Sequence, residues 1–80
     1  MRNLEAGALT GLGILRTQQS DQAEALRFLE QALRIYRETG DRKNEIHLLN
    51  YVNISIWQLG DYARAWVCFE QALRLAREIG

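Results

Sequence analysis

The stretch LEQALRIYRETG at 29–40 returns as FEQALRLAREIG at 69–80, with eight of twelve positions identical at a spacing of forty residues. In a chain of eighty residues this repeat is the strongest constraint on the fold, because both halves must reach the same local structure. The same shift aligns Ser20-Asp21-Gln22-Ala23 with Gly60-Asp61-Tyr62-Ala63, and Glu5 with Glu45. It also aligns Leu9, Leu12 and Ile14 with Leu49, Val52 and Ile54. The period therefore runs through the whole chain as two units, each a helix, a tight turn and a longer helix.

Proline is absent and no segment alternates apolar with polar residues, so an all-α chain is expected. Ser20-Asp21 and Gly60-Asp61 each supply a turn residue followed by an N-cap carboxylate, and Asp21 with Glu24 makes a weak capping box. Gly40-Asp41 does the same between the units, with Gly40 suited to a left-handed C-cap. Four helices are expected near 4–18, 22–39, 42–59 and 62–79. They make one domain over 1–80, with repeat one at about 4–40 and repeat two at about 41–80.

Helical spacing sets the packing. In 62–79 the apolar residues, among them Ala65, Trp66, Cys68, Phe69, Ala72, Leu73, Leu75 and Ile79, cover roughly half of the cylinder at about 100° per residue. The helix at 22–39 does likewise through Ala25, Leu26, Phe28, Leu29, Ala32, Leu33, Ile35 and Tyr36. So wide an arc calls for two neighbours: the unit's own first helix and the first helix of the next unit. The opposite faces carry Glu30, Arg34, Glu38 and Glu70, Arg74, Glu78, which read as solvated charge ladders.

The totals exclude several functions. Ten basic residues balance ten acidic ones, so no field favours a polyanion or a charged membrane surface. No apolar run approaches the ~20 residues of a membrane span, and no signal peptide is read. One cysteine, Cys68, excludes an internal disulfide and fits a reducing, cytoplasmic setting. With a single histidine, His47, no metal site and no cofactor are expected, and no nucleophile–base pair or carboxylate pair suggests catalysis. Gly11-Leu12-Gly13 follows no strand and precedes no Gly-Lys-Ser/Thr, so it reads as close helix packing and not as a phosphate loop. These glycines should also leave the first helix the easiest to fray.

The spacing Leu49-x2-Val52-Asn53-x2-Ile56, Leu59-Gly60-Asp61-Tyr62, Ala65-x3-Phe69-x2-Ala72-Leu73 resembles the tetratricopeptide repeat. The earlier copy resembles it as well, through Leu9-x2-Leu12-Gly13-x2-Arg16 and Ala25-x3-Leu29-x2-Ala32-Leu33. Small residues at Gly13, Ala25, Ala32, Ala65 and Ala72 permit close helix approach, while Leu12, Val52, Leu29 and Phe69 fill the seam. Arg37 and Arg77 replace the family's closing proline, so the second helix runs on, as in a variant of the repeat about forty residues long. Arg16 stands where the family prefers a large apolar residue, and its stem can lie along the seam. A HEAT-like or armadillo pair fits the length but not the small-residue spacing.

The resemblance implies a right-handed array of helical hairpins, an α-solenoid segment that scaffolds protein–protein contacts without catalysis. It assigns the strip His47, Asn50, Tyr51, Ile54 and Gln58 on the third helix to a concave groove for a peptide or partner helix. The Lys/Asn clamp that some members close on a terminal carboxylate is missing. Ile46, Asn53 and Trp57 are expected to meet an adjacent unit. Trp66 and Leu73 on one flank of the last helix, and Cys68, Leu75 and Ile79 on the other, are expected to be partly uncovered. From this follows the expectation that the chain is part of a longer array or associates with itself, with stability that rises with concentration.

Overall fold

The computed structural model describes residues 2–79, which form four helices: α1 (Arg2–Gln18), α2 (Gln22–Thr39), α3 (Arg42–Gln58) and α4 (Tyr62–Ile79). No strand occurs among the described residues. Three equivalent turns set the helices antiparallel. Ser20, Gly40 and Gly60 each take positive φ, at 62°, 72° and 88°. The following Asp amide then donates back to the carbonyl of Arg16, Tyr36 or Ile56 at 2.9, 2.9 and 3.2 Å. Each Asp side chain meanwhile accepts from the amide three residues on, in Glu24, Asn44 or Arg64, at 3.2–3.3 Å. One residue thus closes a helix and opens the next, and a repeat of twenty is written into the turns. Among the described residues Ser20 is the only non-glycine with positive φ, a conformation that glycine takes with less strain.

The helices pack in chain order: α1 on α2, α2 on α3 and α3 on α4, with a light contact between α1 and α3. α2 is therefore sandwiched between α1 and α3, the double cover expected from its wide apolar arc. The core is built from Leu26, Leu29, Leu33, Leu48, Leu49, Val52 and Ile56, closed by Ala6, Ala25, Ala32, Ala65 and Ala72 where backbones approach. Each of the fully buried leucines, Leu29, Leu48 and Leu49, contributes about 1.5–3 kcal/mol.

Gly13 is the closest approach. A Cβ there would lie 2.6 Å from the Leu29 side chain and 3.2 Å from the Ala25 carbonyl oxygen. Gly7 and Gly11 face open space, so the packing role expected of the glycine cluster belongs to Gly13 alone. Arg16 is half-buried, with its guanidinium turned out to Gln19 at 2.8 Å. Its stem occupies the place of an apolar side chain, at the cost of a buried Nε without a partner.

α1 begins at Arg2, two residues before the expected start, and the Arg2 guanidinium pairs with Glu38 of α2. The charge ladder of α2 is likewise drawn into contacts between helices. Glu30 accepts from Arg64 of α4 at 2.9 Å, and no four-residue pair within the ladder forms an ion pair. Glu30, Arg34 and Glu38 all stay exposed, so the ladder is a solvated face whose outer members also reach the neighbouring helices.

Candidate functional site

Three surfaces are candidates for function, and each follows from how α3 sits between α2 and α4. The first is the strip on α3. His47, Asn50 and Gln58 are exposed, and Ile54 stands 47 % exposed among them. Tyr51 is half-buried and packs on the core, with its ring edge-on to His47 at a centroid distance of 5.6 Å. The strip therefore combines one free aliphatic side chain, one braced aromatic ring and two amides. The matching positions on α1 are Gly7, Thr10, Gly11, Ile14 and Gln18; Thr10 turns its hydroxyl to the Ala6 carbonyl at 2.8 Å. Along α1 the strip offers space, and along α3 it offers side chains.

The second surface lies elsewhere. The backbones of α2 and α4 stay apart, and between them runs a groove of about 460 Å3 floored by Leu49, Val52 and Ile56 of α3. Its walls are Arg34 and Arg37 from α2 and Arg64, Val67 and Gln71 from α4, with the Arg64–Glu30 pair bridging them. Sequence reasoning missed this groove. Its only trace was that the α2 ladder and Arg64 lie beside apolar α3 positions, and helical spacing alone does not say that two second helices stand apart.

The third surface is the outer face of α4, and here the forty-residue shift becomes a measurement. Leu26, Leu29 and Leu33 on α2 are 9, 0 and 7 % exposed. Their counterparts Trp66, Phe69 and Leu73 on α4 are 62, 40 and 41 % exposed. The residue types are alike; α2 lies between two helices, whereas α4 packs on α3 alone and no described helix covers its outer face. Trp66 and Phe69 lean on each other at 5.8 Å, and with Leu73, Arg74 and Arg77 they line a shallow depression of about 300 Å3.

The other expected flank of α4 is corrected in part. Ile79 is half-exposed and Leu75 only partly buried against the core, both as expected, but Cys68 is buried at 6 % exposure. The Cys68 thiol donates to the Leu49 carbonyl at 3.3 Å, so this side of α4 is the seam with α3 and not an open flank. Burial pushes the Cys68 thiol above its ordinary pKa, against a smaller downward pull from Arg37 and Arg64. A buried, protonated thiol is a poor nucleophile and a poor metal ligand. Trp57 was expected to meet an adjacent unit. It leans at a tilt on Tyr62 at 4.4 Å, across the turn of its own hairpin, and stays 58 % exposed.

The α2–α3 contact is pinned electrostatically as well as by apolar packing. Glu45 of α3 is 3 % exposed, and its two oxygens accept from Arg37 of α2 at 3.0 Å and from Arg42 at 3.1 Å. Both acceptors of this buried carboxylate are thus charge-assisted. Ser55, at the other end of the same face, is fully buried with no partner for its hydroxyl. Among the described residues no three His, Cys, Asp or Glu side chains are grouped to hold a metal, and no helix is long and apolar enough to cross a membrane.

Antiparallel helix pairs laid side by side, each covering the last, define the chain as a helical-hairpin repeat protein. Residues 6–39 match the family model of the tetratricopeptide repeat. The second hairpin repeats the first in sequence and in fold, so the four helices are consistent with two repeats of that kind. The family suggests a protein–protein interaction scaffold, of a kind that is typically non-catalytic. A comparison with curated proteins finds no match to the chain.

Proposed function

We propose that the two hairpins work as one non-catalytic, cytoplasmic scaffold domain that presents the α3 strip to a peptide or partner helix. The observation that carries this reading is Ile54, left half-exposed beside the braced His47–Tyr51 pair and two free amides. A rigid aromatic ring next to an exposed aliphatic group buries apolar area with little loss of side-chain freedom. Asn50 and Gln58 can pair with a ligand's backbone and set its register. Gly7 and Gly11 leave room for that backbone to lie close to α1.

The test is a random-peptide display selection on the intact chain, followed by the double substitution Tyr51→Ser and Ile54→Ser. Binders are expected to lose affinity at least about tenfold for the double variant, with helix content by circular dichroism unchanged. Peptides that bind equally well to the variant, or no selectable binder at all, would contradict the reading. A second reading, in which the units serve as stacking elements with no separate ligand, is favoured by the uncovered face of α4.

A further inference from the structure

We propose that the open face of α4 receives α1 of a second copy of this chain, head to tail, in the manner that α2 receives α3. The contact inside the chain is the template. The α3 residues buried at that contact include Glu45, Leu48, Val52 and Ser55, one face at helical spacing. The forty-residue shift carries them onto Glu5, Ala8, Leu12 and Leu15 of α1, all four of them exposed. On the opposing side, Leu26, Leu33 and Arg37 of α2 become Trp66, Leu73 and Arg77 of α4, again all exposed. Both halves of a known interface are therefore present a second time. They lie on α1 and α4, which make no contact with each other within one copy.

Charge supports the same occupant. Inside the chain Arg37 and Arg42 converge on Glu45. Their repeat partners are Arg77, Arg2 and Glu5, so the whole cluster recurs, split between the two ends. Among the described residues neither Arg77 nor Glu5 has an ionic partner. Docking α1 of a second copy would set Glu5 against Arg77 as Glu45 is set against Arg37. The seam would not be a perfect copy. The shift puts Trp66 for Leu26 and Leu15 for Ser55, but Ala76 for Tyr36 and Ala8 for Leu48, so the side chains offered are larger at the first two positions and smaller at the last two. Leu4, exposed one turn before Ala8, is the apolar residue available to fill the thinner end.

Such a contact is heterologous: one end of each copy meets the other end of the next, and nothing closes the row at two. The α3 strip takes no part in it, so this inference and the peptide-binding reading stand or fall separately. Sedimentation velocity of the intact chain from low micromolar to millimolar concentration tests it. The mean mass is expected to climb past that of a dimer. Glu5→Arg and Arg77→Glu, each at an exposed position, should each weaken the association by about tenfold or more without loss of helix content. Mixing the two variants should restore it, because each then meets an opposite charge on the other. A monomer at every concentration, a dimer that closes on itself, or association indifferent to both reversals would overturn the proposal.

Discussion

α2 and α4 carry nearly the same sequence in different surroundings. Leu33 is buried between α1 and α3, while Leu73, the same residue one period later, is about two-fifths exposed. Arg37 holds a buried carboxylate, and Arg77 holds nothing described. The difference teaches that apolar patterning states how many neighbours a helix is built for, whereas burial reports how many it has. For α2 the two numbers agree. For α4 they differ by one helix, and that shortfall makes its outer face a candidate surface for association.

The comparison can be broken most directly at the leucines. Leu33→Ala should cost about 2–5 kcal/mol in urea unfolding of the dilute chain, as expected for a filled core position. Leu73→Ala should cost less than half as much under the same conditions. Equal costs would mean that α4 is covered after all. The arginines sharpen the point at smaller magnitude. Arg37→Ala removes a charge-assisted bond from buried Glu45 and should cost about 1.5–3 kcal/mol, whereas Arg77→Ala should stay within about 0.5 kcal/mol.

The smallest effect concerns Cys68, the side of α4 that does share the buried environment of α2. Its folded thiol holds its proton to higher pH than the unfolded thiol does. That contribution to stability is fully present below the unfolded thiol pKa of about 8.5 and is lost as pH rises through the folded value. Thermal unfolding between pH 7 and 10 should show this slope in the wild type. Cys68→Ala should remove it, and an unchanged slope in that variant would refute the assignment.

Much of this architecture was legible in the residues. The turns were readable because Asp after a glycine or serine leaves few conformations, and the helix bounds fell within two residues of expectation. Trp66 and Leu73 were readable as an open flank because the forty-residue shift names their covered counterparts. What escaped were features that depend on which way a helix is rolled. Cys68 sits on one edge of the apolar arc of α4, and a rotation of a few tens of degrees decides whether that edge meets α3 or solvent. The groove between α2 and α4 depends on a separation between helices that no periodicity encodes.

Residue-level amide hydrogen exchange on the dilute, monomeric chain tests the central claim most directly, because exchange reads cover helix by helix. Central amides of α2, held between two helices, should exchange at least about ten times more slowly than the matching amides of α4 forty residues on. Equal protection of the two helices, or slower exchange in α4, would contradict a row of hairpins whose last face stands open.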